Sequence, residues 1–282
     1  MSSMETAPEE GERSPFQEGD LETGRMDVHD PLLDEPKFFE LHGDGLTWWD
    51  RDPEGSKIPG FMERLLKYPS NKLNASYYEG HLVNSKLNLQ DTGMDSSDVE
   101  KIVFFLMTTD KPVQNLCLSL NTIRDHGLKL LMAQSFWRKT PELEIMHLEA
   151  CELGPESAYV LKECLLQPDF PVKKLIMPRN KIGDDGAFCL SQALRDDSCR
   201  LELLNVAHND ISYIGIVSLL SALRKNTVIQ FFNAEGNEFP PEEVMEQFVM
   251  LFEENPQCRV FQLPGLELYR EEDGVPRQIW KK

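Results

Sequence analysis

Residues 172–194 read VKKLIMPRNKIGDDGAFCLSQAL, and residues 201–223 read LELLNVAHNDISYIGIVSLLSAL. Laid one on the other, both follow LxxLxLxxNxI, with Val or Met accepted in the leucine slots, then a short turn, then GxxxLxxxL. The first stretch raises a chemical question, because an Asp pair beside glycine resembles a cation loop or a pair of catalytic carboxylates. The shared frame answers it. Where the first stretch has GDDG, the second has SYIG, and residues 124–127 have RDHG. Chemistry that needs two carboxylates does not share its slot with Tyr and Ile, so Asp184 and Asp185 are expected to cap the helix they open and to favour its positive end.

The frame recurs beyond these two copies. With the slot usually filled by Asn or Cys as position 0, it falls at Thr92, Asn121, Cys151, Asn180, Asn209 and Asn237, at steps of 29, 30, 29, 29 and 28 residues. Apolar residues stand at −5 and −3 in every copy: Leu87 and Leu89, Leu116 and Leu118, Met146 and Leu148, Leu175 and Met177, Leu204 and Val206, Phe232 and Ala234. Position +2 is Met94, Ile123, Leu153, Ile182, Ile211 or Phe239. Gly127, Gly186 and Gly215 open a helical pattern at +6, continued by Leu131, Leu190 and Leu219.

Alternating apolar positions predict a short strand with one buried face, and the pattern after the glycine predicts an amphipathic helix. Repeated strand and helix make a parallel sheet with right-handed crossovers. Strands pair at roughly 4.8 Å while packed helices need about 8–10 Å, so the stack bends with its strands inside. The predicted fold class is α/β: a horseshoe solenoid, parallel sheet concave, helices convex. At position 0 a buried amide both donates to and accepts from backbone that has left the ladder; Cys151 is a weaker substitute, and Thr92 suits a terminal unit.

Over residues 84 to 255 or so the chain resembles the ribonuclease-inhibitor-like class of leucine-rich repeat proteins, whose long units accept Asn or Cys at position 0. That resemblance implies protein binding. Proteins similar in repeat class include ribonuclease inhibitors, activators of the Ran GTPase and the actin-capping tropomodulins, which implies regulation of an enzyme or of filament ends as the alternative.

Composition bounds the rest. Acid exceeds base by 48 to 29, a balance that disfavours nucleic acid and anionic lipid. Residues 1–36 carry eleven acidic side chains against Arg13 and Arg25 and few large apolar ones, and are expected to form a disordered acidic tail. Residues 37–83 are expected to cap the first coil, with a helix in IPGFMERLLKYP and a strand in ASYYEGHLV; residues 84–263 hold six units and a degenerate last strand in CRVFQLPG; residues 264–282 are a C-terminal tail. No signal or membrane span is evident, so a cytoplasmic location, with a cytoskeletal association as one form of it, is expected, with the six cysteines reduced.

Side chains alternate across a strand, so positions −4 and −2 face the concave side. The residues expected to meet a protein partner, alone or within a multi-subunit or cytoskeletal complex, are Asn88, Gln90, Cys117, Ser119, His147, Glu149, Ile176, Asn205, Asn233 and Glu235, with Arg179 and His208 from the row before position 0 and the aromatic pair Trp48 and Trp49. Cys117 beside His147 has the residue types of a thiol nucleophile, but such chemistry also needs oxyanion donors and a walled pocket. No CxxC, P-loop, GxGxxG or HExxH occurs. A non-catalytic binding module without cofactor or metal is therefore expected, and Pro178 is expected to end its strand early.

Overall fold

The computed structural model describes residues 75–133, 136–270 and 276–280. The acidic segment 1–36, the helix expected in 58–69 and the Trp48–Trp49 pair lie outside the described residues. In chain order the elements are α1 (Ala75–His81), β1 (Leu82–Val83), β2 (Lys86–Asn88), α2 (Val99–Thr108), β3 (Asn115–Cys117), α3 (Arg124–Ala133), β4 (Ile145–His147), α4 (Pro155–Leu165), β5 (Lys174–Ile176), α5 (Gly183–Arg195), β6 (Leu203–Asn205), α6 (Tyr213–Leu223), β7 (Phe231–Asn233), α7 (Pro241–Glu254), β8 (Val260–Leu263), β9 (Leu266–Arg270) and β10 (Pro276–Trp280). The strands lie in one sheet in sequence order. Pairing is parallel from β2 to β8, so Leu116, Met146, Leu175, Leu204 and Phe232 stand in register. This is the predicted α/β solenoid, with an open parallel sheet backed by helices.

The −5 and −3 residues of all six units are at most 1% exposed, in one continuous core with the +2 residues. Neighbouring helices approach closely because small residues face each other: a Cβ on Gly186 would come within 3.1 Å of the Ala158 Cβ. Helix and strand alternate in every unit, so each coil buries its apolar face only by stacking on the next.

Position 0 holds the coils together through backbone that belongs to no regular element. Asn180 Oδ1 accepts from the N–H of Cys151 (2.9 Å) and Leu153 (3.0 Å), while Nδ2 donates to Leu148 O (2.8 Å), Met177 O (3.0 Å) and Pro178 O (3.2 Å). Asn121 and Asn237 serve the coils before them in the same way. Cys151 and Asn209 do not. Cys151 Sγ donates to Leu118 O (3.2 Å), and Asn209 Nδ2 donates to Met177 O (2.9 Å) and Ala207 O (3.0 Å), but Asn209 Oδ1 is buried without a partner.

The turns explain the difference. After Thr92, Cys151 and Asn209 the left-handed residue comes at +1 (Gly93, Glu152, Asp210), and the N–H groups at 0 and +2 point to the next side chain. After Asn121 and Asn180 it comes at +3 (Arg124, Gly183), whose N–H donates instead to the backbone carbonyl of Cys151 (2.9 Å) or Asn209 (3.0 Å). A position 0 that follows the second kind of turn needs chiefly a donor, and a thiol supplies one. Burial, only partly offset by the Asn121 N–H, pushes that thiol up to about 12, so Cys151 stays protonated.

The second kind of turn also corrects the expectation for GDDG. Asp184 lies in the first turn of α5, but its carboxylate reaches the start of the next helix, α6: it accepts from Ser212 N (2.8 Å), Ser212 Oγ (2.6 Å) and Gly215 N (3.1 Å). Asp125, at the same place two units earlier, caps α4 through Gly154 N (2.7 Å) and Ser157 N (3.1 Å). The left-handed residue just before each Asp turns the carboxylate toward the neighbouring coil. Asp185 is exposed.

At the ends, the structure departs from the strand expected in ASYYEGHLV. Residues 75–81 form a helix, in which Tyr77 and His81 stack four residues apart at 4.2 Å and Tyr78 packs on Phe105 at 5.3 Å. Only Leu82 and Val83 are strand, paired to β2 through the left-handed residues Asn84 and Ser85, a two-residue hairpin. At the far end β8 pairs in parallel with β7, and residues 266–270 and 276–280 continue the sheet antiparallel. Phe261 closes the core there, edge-on to Phe248 at 5.0 Å.

Two stability predictions follow from these bonds. Asn180→Cys strands the N–H groups of Cys151 and Leu153 and should cost about 3 kcal/mol, whereas Asn209→Cys should cost less than about 1 kcal/mol, since only donors are asked of it; urea unfolding of both variants measures the contrast, and equal losses would contradict the two-turn account. Asp184→Ala should lose about 2 kcal/mol and Asp185→Ala less than about 0.5 kcal/mol in the same experiment, because only the first carboxylate caps a helix.

Candidate functional site

The concave face is built from alternate residues of three-residue strands whose backbone is already paired. From position −3 the ladder continues past the strand ends: Leu118 N donates to His147 O, Leu148 N to Ile176 O, Met177 N to Asn205 O and Val206 N to Asn233 O, at 2.7–3.0 Å. The N–H at −2 is left outside it, because the −3 carbonyl that would receive it is taken by the position 0 side chain. Asn88, Asn205 and Asn233 supply the acceptor: their Oδ1 takes the N–H of Gln90 (3.4 Å), Ala207 (3.0 Å) and Glu235 (2.8 Å). These are turns closed by an Asx side chain on its own backbone. Where −2 is Pro178 there is no N–H to serve, and −4 is the apolar Ile176.

This divides the sequence-predicted site. Asn88, Asn205 and Asn233 hold local turns with their oxygens, and Asn233 Nδ2 also donates to Gln262 Oε1 at 2.7 Å. Ser119 is buried and accepts the Glu149 N–H at 3.2 Å. Gln90, His147, Glu149, Ile176, Arg179, His208 and Glu235 are at least partly exposed along the face. Trp48 and Trp49 are outside the described residues. Strand β5 ends at Ile176, before Pro178, and the Pro178 carbonyl accepts from Ala150 N (3.0 Å) and Asn180 Nδ2 (3.2 Å), so no acceptor is laid open there.

The charges are sparse. Arg179 Nη1 donates to Glu149 Oε1 at 2.9 Å across adjacent coils, with the Arg side chain 65% exposed; such a pair contributes about 0.2–1 kcal/mol and leaves both groups able to exchange partners. Burial, with Lys86 adding to it and Glu149 opposing, holds the His147 imidazole below its ordinary value and hence neutral at pH 7. Its Nε2 lies 3.4 Å from Asn115 Nδ2, and Cys117 Sγ faces Gln90 Oε1 at 4.0 Å. Cys117 and His147 are register partners on β3 and β4, yet each side chain's hydrogen bond goes elsewhere. Among the described residues no group of three or more His, Cys, Asp or Glu could hold a metal ion. The His208 ring covers Gly236 and fills the space that a Cβ there would need.

Position −6 was absent from the sequence reading and completes the face. Lys86, Asn115, Ile145, Lys174, Leu203, Phe231 and Val260 are register partners from β2 to β8, and Tyr269 on β9 opposes Val260. The last four are partly exposed, giving an apolar row at the C-terminal end of the sheet. The same period of two, carried one step further, would have found it. At the other end an open pocket of about 710 Å³ lies among His81, Asn84, Lys86, Gln114, Asn115 and Glu144.

A family model described as Leucine Rich repeat matches residues 171–191 and 198–220, which span β5 to α6. The chain is similar to the ribonuclease inhibitor of Sus scrofa, at 33% identity over 214 residues, 69% of this chain and 45% of that protein. It is also similar to NACHT, LRR and PYD domains-containing protein 13 of Homo sapiens, at 27% identity over 158 residues, 56% of this chain and 15% of that one. It thus spans less than half the length of these curated relatives. Among solved structures, Leiomodin-1 Actin-Binding Site 2 aligns with a TM-score of 0.33 at 21% identity, covering 39% of this chain and 62% of that one, a likeness that carries no argument. No helix among the described residues is long and apolar enough to cross a membrane. With Asn and Cys sharing one bonding role at position 0 and the repeat unbroken from Thr92 to Asn237, this is a leucine-rich repeat protein of the ribonuclease-inhibitor-like class.

Proposed function

We propose that the chain is a non-catalytic scaffold that binds a protein partner on its concave sheet face. The observation that carries this reading is the row Leu203, Phe231, Val260 and Tyr269, partly exposed on strands that are each paired with a neighbour on both sides. An apolar row beside the polar rows of His147, Glu149, Arg179 and Glu235 has the make-up of a protein interface, with an apolar centre and a polar rim. Seven parallel strands at about 4.8 Å span roughly 30 Å, enough for an interface of standard size. A cytoplasmic or cytoskeletal setting belongs to this proposal, as does the absence of a cofactor.

A second reading, regulation of an enzyme held in trans, is favoured by the likeness to the Sus scrofa ribonuclease inhibitor. A net charge of −19 would suit an electropositive enzyme as the target. The likeness covers 45% of that protein, so the reading needs its own assay.

A photo-crosslinking side chain at position 231 should give discrete protein adducts in cell extract, and one at position 192 on the back of α5 should not. Phe231→Asn and Leu203→Lys, which borrow residues found in the same row at Asn115 and Lys174, should weaken capture of that partner at least about tenfold while leaving the fold intact. No adduct from position 231, or adducts unmoved by either substitution, would overturn the concave reading. Titration against a secreted pancreatic-type ribonuclease should show no inhibition if the scaffold reading holds, and stoichiometric inhibition would select the second.

A further inference from the structure

The residue at position −1 is left-handed in all six units: φ is 53° at Asp91, 59° at Leu120, 50° at Ala150, 58° at Arg179, 51° at His208 and 71° at Gly236. The N–H there donates to the −2 carbonyl of the next coil, from Asp91 to Ser119 (3.0 Å), Leu120 to Glu149 (2.8 Å), Ala150 to Pro178 (3.0 Å), Arg179 to Ala207 (2.9 Å) and His208 to Glu235 (2.8 Å). These bonds between coils fix the conformation whatever the side chain. Gly, Asp and His tolerate it well, and a bulky apolar residue does not. Leu120 carries that strain and is also 44% exposed, outside the contiguous core. The fold gains little from a leucine at this place.

Its neighbours in the row say what a leucine there can do. The next coil places Ala150 at −1, small and partly exposed, and the coil after that places Arg179. Along the row the order is therefore large, small, large. Arg179 leans back toward the coil of Ala150, because its Nη1 is held by Glu149 Oε1 at 2.9 Å, whereas His208 leans the other way and covers Gly236. The Arg179 side chain is 65% exposed even when so tethered. Coils repeat at roughly 4.8 Å, so the backbones of Leu120 and Arg179 stand about 10 Å apart with a single methyl between them.

Chemistry selects the occupant. An aliphatic side chain and the face of a guanidinium have one good partner in common, a flat aromatic ring, which packs on the first and stacks on the second. The bond to Glu149 uses an N–H in the guanidinium plane and not its face, so the ion pair and a stacked ring are compatible. We propose that Leu120, Ala150 and Arg179 together receive an aromatic side chain of the protein partner, with the ring over Ala150, against Leu120 and on the guanidinium of Arg179. This rests on the concave reading above and names the side chain taken at the corner of the face opposite the row from Leu203 to Tyr269. The leucine is kept against its backbone preference because it serves recognition.

Methyl NMR of the full chain with labelled leucine and alanine reads the site directly. N-acetyl-tryptophanamide should shift the Leu120 and Ala150 methyls saturably and bind at least about fivefold more tightly than N-acetyl-leucinamide. Arg179→Gln should remove that preference, as should Ala150→Leu, which fills the place of the ring with a residue the same row already holds at position 120. Phe231→Asn should leave it unchanged, and unmoved methyls beside adducts still formed at position 231 would sink this proposal while sparing the concave reading. Leu120→Asn should unfold at no lower a urea concentration than the parent, since asparagine suits the left-handed backbone. Unmoved Leu120 methyls, equal binding of the leucine amide, a preference that survives both substitutions, or an earlier urea midpoint for Leu120→Asn would each overturn the proposal.

Discussion

The amide of Asn180 makes five hydrogen bonds, two of them to N–H groups of the preceding coil and three to carbonyls at the ends of the strands. Four of those backbone groups, the N–H of Cys151 and Leu153 and the carbonyls of Leu148 and Met177, are held by buried hydrogen bonds, while the Pro178 carbonyl also accepts from Ala150 N. Without a side chain of this shape those four would be stranded, at about 1–3 kcal/mol each. The stacked leucines supply the larger apolar term, but they are interchangeable with Met, Val and Phe along the repeat. The amide sets where the strand stops, how the chain turns, and the spacing of one coil from the next.

Its influence reaches the concave face. By taking the −3 carbonyl, position 0 displaces the N–H at −2, and that N–H then recruits Asn88, Asn205 or Asn233 from the concave row. Some polar side chains on the inner face are thus architectural, and the residues there that no turn requires include His147, Ile176, Arg179 and the apolar row ending at Tyr269. Pro178 fits the same logic, since a residue without an N–H allows an apolar neighbour at −4.

Much of this was legible in the sequence, because the repeat's apolar positions have fixed chemistry and fixed spacing. Register, strand direction and the role of Asn at position 0 follow from that alone. The alternation of turns was not legible: Arg124 and Gly183 occupy the same left-handed slot, and a sequence pattern that looks for glycine finds only one of them. The capping direction of Asp184 depends on that turn and was misread for the same reason. In the first coil, Tyr77 and Tyr78 suggest a strand by propensity, but the stacking of Tyr77 on His81 and the burial of Tyr78 against Phe105 belong to a helix. The −6 row was overlooked because the motif begins at −8 and −5 and draws attention to the leucines on the other face.

The claim beneath all of this is that irregular backbone between strand and helix is as firmly held as the strands themselves. Native-state hydrogen exchange at the amides of Cys151, Leu153, Asn209 and Ile211, each bonded to the side chain of Asn180 or Asn237, reads that directly. These amides should exchange only through global unfolding, at the same opening free energy as Leu148 and Leu204. Exchange at the rate of ordinary surface loops would contradict the account.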